Sequence, residues 1–136
     1  MNKMQIVAQL QIDEGFAPQS FWDNDQWTWG YGTKADGPGK FITKDRALPL
    51  LIDRAQLAID DFYDVFAGCV MSEKREHVFV NLLFNIGKTK LLKFKNTLAA
   101  VREQDWGHVA FGLVNSLWYK QVPKRAGRLV LEVLEG

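Results

Sequence analysis

Five glycines and two prolines crowd the segment from Gly15 to Phe41, and that punctuation constrains the fold more than any other feature. Gly15, Gly30, Gly32, Gly37, Gly39, Pro18 and Pro38 separate short runs of Trp, Tyr, Phe and Thr. Gly and Pro disfavour a helix interior by about 1 and 3 kcal/mol each, so no long helix fits here. The alternation of β-formers with turn residues predicts a small antiparallel sheet with tight turns, closed by Gly37-Pro38-Gly39 and the pair Phe41-Ile42. Everything on either side reads as helix, so the fold class is α+β.

In the first helical segment, residues 3–13, Met4, Val7, Ala8, Leu10 and Ile12 fall loosely on one face. After the sheet, Thr43 is a good N-cap, and Leu48, Leu51, Ile52, Ala55, Ala58, Ile59, Phe62, Val65 and Phe66 recur at helical spacing. Pro49 lies too deep for a first-turn proline and predicts a kink or a late helix start; Gly68 ends the segment. Ser72 caps the next helix, with Glu73 and Glu76 at the positive end of its dipole. That helix is apolar on most sides up to Gly87, which predicts the buried central element. Further helices are expected near 94–103, from Asp105 through Trp118, and from Val122-Pro123 onward with Pro123 at the first position.

At 136 residues the chain is expected to form one domain with its own core. One cysteine, Cys69, excludes an internal disulfide and any CxxC metal pair, and is expected to pack rather than react. No run approaches the roughly 18 apolar residues of a membrane span. Lys3 is followed by no continuous apolar stretch or small-residue cleavage site, so no signal peptide is expected, and folding in a reducing cytoplasm is. The net charge of +1 is uneven: residues 1–66 carry 6 Lys/Arg against 10 Asp/Glu, and residues 88–136 carry 9 against 4. The cationic half suits an anionic polymer or simply a solvated helix face. His77 and His108 stand on helical segments without a partner pattern, and no metal or cofactor is expected.

The chemistry concentrates early. Glu14 leaves a helix directly before Gly15, Asp23 follows nine positions on, and Thr28 opens the run Thr28-Trp29-Gly30-Tyr31-Gly32-Thr33. Cleaving a glycosidic bond needs a proton for the leaving oxygen and a held water or negative group at the oxocarbenium-like centre. Glu14, at a helix end beside Phe16, has the sheltered setting of a proton donor; Asp23, among Asn24, Asp25 and Gln26, has the polar setting of a water-handling carboxylate. The same residues also read as a helix terminus and an Asx turn. Trp22, Trp27 and Trp29 fit a sugar-stacking surface as well as a β-lobe core, and at least one of them is expected in the core.

Ile12-Asp13-Glu14-Gly15, the spacing to Asp23 and Thr28, and Thr28-x-Gly30-Tyr31-Gly32 resemble the phage-type lysozymes, or endolysins, of glycoside hydrolase family 24. The resemblance continues through Ile42-Thr43-Lys44-Asp45, Asn81-Leu82-Leu83-Phe84-Asn85-x-Gly87, Phe94-x-Asn96-x-Leu98 and Ser116-x-Trp118-Tyr119-x-Gln121-x-Pro123-x-Arg125-Ala126-x-Arg128. These blocks span nearly the whole chain in the family's order. They imply a lysozyme-like fold over 1–136: a β-rich lobe at about 15–42, a helical lobe at about 1–14 and 68–136, and a connecting helix at about 43–67, with a cleft between the lobes.

The resemblance further implies that Glu14 is the general acid, that Asp23 positions the attacking water and that Thr28 lines the same spot. Arg125 would orient Glu14 and Arg128 would pair with Asp13. Gly30, Tyr31, Gly32, Phe84 and Asn85 would meet the saccharide. The implied substrate is bacterial peptidoglycan, cut between N-acetylmuramic acid and N-acetylglucosamine by a monomer that engages neither nucleic acid nor membrane. It would be made in the bacterial host cytoplasm and reach the wall after a holin-dependent release. A lytic transglycosylase and a non-catalytic wall-binding domain are the alternatives. The segment between Thr33 and Phe41 is shorter than in the family's larger members, and Thr33, Gly112 and Val122 replace a histidine, a polar residue and a threonine there. These departures bear on the number of sugar subsites.

Overall fold

The computed structural model describes all residues from Met1 to Gly136. Asn2 opens the first helix, α1 (Lys3–Glu14), by accepting the Gln5 N–H at 3.1 Å. Its buried stripe is Ile6, Val7 and Leu10, whereas Met4 and Ile12 are 69% and 76% exposed. This corrects the expected face. At 100° per residue, Ile6, Val7 and Leu10 cluster on one side, and Met4 and Ile12 fall outside that arc.

Three strands follow in the order β1 (Ala17–Asp23), β2 (Gln26–Gly30) and β3 (Thr33–Lys34), all antiparallel. The β1–β2 register pairs Phe21 with Thr28, Trp22 with Trp27 and Asp23 with Gln26, and an irregularity lies between Ala17 and Phe21. The Gly/Pro turn is tied back to β1 by Ser20, whose hydroxyl donates to Gly37 O at 2.8 Å and accepts from Lys40 N at 3.0 Å. Gln19 bridges to Phe41, and Ile42 N–H reaches Pro18 O. The small sheet expected from the turn residues is present, and the fold class is α+β.

Thr43 caps α2 (Lys44–Val65) by accepting the Arg46 N–H at 3.3 Å. The helix begins at Lys44 and runs on through Pro49, so the expected late start does not occur. A proline six residues into a helix removes one backbone donor. The rest of the hydrogen-bond ladder of this 22-residue helix and a stripe of buried Ala47, Leu51, Ala55, Ala58, Ile59 and Phe62 hold it together.

The chain divides into two compact units, Asn2–Leu57 and Ala58–Gly136, the latter with Met1. The first holds α1, the sheet and the start of α2. The second is helical: α3 (Glu73–Ile86), α4 (Lys88–Leu91), α5 (Lys95–Arg102), α6 (Trp106–Val114), α7 (Leu117–Gln121) and α8 (Pro123–Glu135). Its core is α3, whose residues Val78 through Phe84 are all buried. Phe79 meets Phe66 at a ring separation of 4.7 Å, and α8 packs against both α3 and α6. Ala126, Leu129, Val130 and Val133 give α8 an i, i+3, i+4, i+7 buried stripe.

The single helix expected from Asp105 through Trp118 is two. Asn115 donates to Phe111 O at 2.8 Å and the Ser116 hydroxyl to Leu113 O at 2.6 Å, which satisfies the ending carbonyls of α6. Ser116 then turns extended and caps α7 through the Tyr119 N–H. Gly112 on α6 lies against Thr97 on α5: a β-carbon there would sit 2.1 Å from Thr97 Oγ1. That close approach accounts for the missing side chain. Cys69 is half-buried.

Candidate functional site

In the Asn2–Leu57 unit, the end of α1 and the Gly30–Gly32 turn meet. Glu14 is the last residue of α1 and is half-buried, with Gly15 closing the helix through its N–H to Gln11 O at 3.1 Å. Gly32 has φ +84, and a β-carbon added to it would lie 2.6 Å from Glu14 Oε1. The carboxylate therefore rests directly on the Gly32 α-carbon, an approach that only glycine permits. Gly30, at φ +62, approaches α2 as closely: its β-carbon would stand 3.0 Å from Ala47 Cβ. Between them Tyr31 is buried, its ring 5.4 Å from that of Phe16 and its hydroxyl accepting from Gln11 Nε2 at 3.3 Å. The close approaches of these two glycines are thus made first by the protein itself.

Asp23 and Thr28 come together through strand register. Paired strand residues share a face and successive residues alternate. Phe21, Asp23, Gln26 and Thr28 therefore lie on one face of the β1–β2 ribbon, with Trp22 and Trp27 on the other. Asp23 is exposed at the end of β1, beside Asn24 at φ 56, whereas Thr28 is 3% exposed. Gln26 Nε2 lies 3.5 Å from Thr28 Oγ1 and points its amide at that hydroxyl. Trp22 is 59% exposed and meets Trp27 edge-on at 5.5 Å; Trp29 is half-buried.

In the helical unit, Arg125 Nε donates to Asn81 Oδ1 at 2.9 Å, and Arg128 faces Glu132 at 3.8 Å. Asn85 Oδ1 accepts from the Trp118 indole at 2.8 Å, and Phe84 is buried. A groove of about 580 Å³ in this unit is lined by Lys90, Lys93, Lys95, Asn96, Trp118 and Gln121, among others, with no carboxylate in its wall. No group of three or more His, Cys, Asp or Glu is placed to hold a metal ion, and no helix is long and apolar enough to cross a membrane.

Arg54, which no sequence motif singles out, also reaches the Gly30–Gly32 turn. Its Nη1 donates to Gly32 O at 2.7 Å. The signal was a cation beside the apolar stripe of α2, seven residues after Ala47 and so on nearly the same face. Asn81, buried in α3, is the acceptor for Arg125, a pairing across 44 positions that helical periodicity does not signal.

A carboxylic acid closing the first helix against a glycine turn, a small antiparallel sheet and a following set of helices make up an α+β protein. Over 60 residues, 44% of the chain, it is 33% identical to Probable T4-type lysozyme 2 of Dictyostelium discoideum. Over 61 residues, 45% of the chain, it is 34% identical to Probable T4-type lysozyme 1 of the same organism. The matched part of the chain spans 35% of the length of each relative. No family model matches the chain. The chain is similar to T4-type lysozymes over somewhat less than half its length.

Proposed function

We propose that the protein is a peptidoglycan muramidase, a glycoside hydrolase of the endolysin type, that hydrolyses the β-1,4 bond between N-acetylmuramic acid and N-acetylglucosamine. The observation that carries this reading is Glu14 at the end of α1, its carboxylate seated on Gly32. Glu14 is the general acid that protonates the leaving oxygen. Asp23 and Thr28, on one face of the β1–β2 ribbon, hold the attacking water. In this proposal Arg125 orients the acid, Gly32 and Asn85 meet the saccharide, and the buried Gly30, Tyr31 and Phe84 shape the walls behind them. The likeness to two T4-type lysozymes supports the same activity.

The lysine- and amide-lined groove of the helical unit suits an acidic, amide-bearing polymer, which peptidoglycan with its stem peptides is. In this reading the protein works as a monomeric, single lysozyme-like domain with no cofactor, nucleic acid or membrane partner. It is made in the bacterial cytoplasm and reaches the wall after holin-dependent release to lyse the host. Reducing-end release from purified peptidoglycan tests the activity. Equal release by wild type and Glu14→Gln contradicts it, and anhydro-muramic ends in the products point instead to a lytic transglycosylase.

A further inference from the structure

We propose that Arg54 is a positioning residue for Glu14 and acts through the Gly32 peptide. The inference rests on Glu14 being the general acid. Two helices of the Asn2–Leu57 unit converge on the short turn after β2. From α2, Arg54 Nη1 donates to Gly32 O at 2.7 Å, and Ala47 receives Gly30 two helical turns earlier. From α1, Gln11 Nε2 donates to Tyr31 Oη at 3.3 Å, and Glu14 lies on Gly32 one turn later. The turn is held from both helices at once.

Gly32 is where the two grips meet. The point a β-carbon would occupy is 2.6 Å from Glu14 Oε1 and 3.7 Å from Arg54 Nη1. The carboxylate and guanidinium can be no further apart than those two distances laid end to end. A hydrogen bond from a charged donor is shorter and roughly twice as strong as a neutral one. Arg54 therefore fixes the Gly32 carbonyl, the Gly32 α-carbon fixes the wall on which the Glu14 carboxylate rests, and the acid keeps its position relative to the bond it protonates. Without that donor the turn retains its Ala47 and Gln11 contacts but loses the one nearest the carboxylate. Such a change moves the acid without emptying the saccharide-binding surface, and a displacement near 1 Å can cost about 10²-fold in rate.

The test compares wild type, Glu14→Gln, Arg54→Met, Arg54→Gln and Arg54→Lys on solubilised peptidoglycan strands. Reducing ends are measured over a range of substrate, with the folded fraction of each variant read by circular dichroism at the assay temperature. Arg54→Met is expected to lower kcat about 10- to 100-fold while KM stays within about twofold, and Arg54→Lys to recover part of the loss by keeping a cationic donor. If Arg54→Met does not fold, Arg54→Gln decides, with a kcat at least about fivefold below wild type at unchanged KM. A wild-type kcat in either neutral variant, or a loss that only tracks the unfolded fraction, overturns the role of Arg54 and leaves the muramidase reading intact. Equal reducing-end release by wild type and Glu14→Gln overturns both.

Discussion

Arg125 is held by Asn81: its Nε donates to Asn81 Oδ1 at 2.9 Å, and Asn81 is 4% exposed within the buried stretch Val78–Phe84 of α3. A hydrogen bond to a charged donor contributes about 1.5–3 kcal/mol, and removing a buried acceptor leaves the cation to be solvated some other way. Asn81→Leu, which keeps the volume but not the oxygen, is expected to lower stability by about 2–3 kcal/mol. With the role proposed for Arg125, activity should fall as well, because one of the bonds that hold its guanidinium is lost. Urea unfolding checks the first effect; an unchanged midpoint would show that the bond contributes nothing.

Gly112 and Thr97 set a second expectation. Gly→Ala inside a helix normally stabilises by about 1 kcal/mol. Here the new β-carbon would sit 2.1 Å from Thr97 Oγ1 and 3.3 Å from Thr97 Cβ, and Thr97 is 5% exposed. Overpacking of this kind costs about 1–3 kcal/mol and should outweigh the propensity gain. Gly112→Ala is expected to lower the melting temperature, and Gly112→Ala with Thr97→Ala to recover most of it. A rise in melting temperature for the single variant contradicts the packing described for α5 and α6.

Ser72 caps the central helix by accepting the Arg75 N–H at 3.2 Å. Ser72→Ala removes that acceptor and is expected to cost about 1 kcal/mol, whereas Ser72→Asp keeps an acceptor and should stay close to wild type. Chemical denaturation of the three proteins separates the cap from a general effect of substitution.

His77 gives the stability a pH dependence. Burial pushes its imidazole below the usual 6.5, against the opposing pull of Glu73. The unfolded chain therefore binds a proton at a higher pH than the folded one, and stability falls as pH drops through about 6.5 toward the folded value, then levels off. His77→Gln should remove that component. The stability of wild type relative to the variant should fall between about pH 7.5 and pH 5.5, and parallel lines across that range contradict the assignment.

Local chemistry was readable wherever one residue type decides a backbone state. The glycines and prolines between Gly15 and Phe41 announced the sheet, Thr43 and Ser72 announced two helix starts, and the apolar run through Leu83 announced the buried helix. Met4 and Ile12 misled because a short helix offers apolar residues on more than one side, and only tertiary contact chooses between them. Pro49 misled because packing of the α2 stripe outweighs one missing donor. The break at Asn115–Ser116 depends on two side chains bonding to backbone carbonyls, a choice that apolar periodicity does not register. In the site, Glu14, Asp23 and Thr28 stood out as chemistry-bearing types at a telling spacing. Arg54 did not, because its role comes from a contact with a backbone carbonyl 22 positions away in the chain.

Glu14 is the centre of the account, and one substitution isolates it. Glu14→Gln keeps the shape of the side chain that lies on Gly32 while removing the acidic proton. General acid catalysis contributes about 10²–10⁴-fold, so reducing-end release from purified peptidoglycan should fall by at least about 10²-fold with the fold intact by circular dichroism. Wild-type rates of release from a folded Glu14→Gln protein would contradict the assignment of Glu14 as the acid.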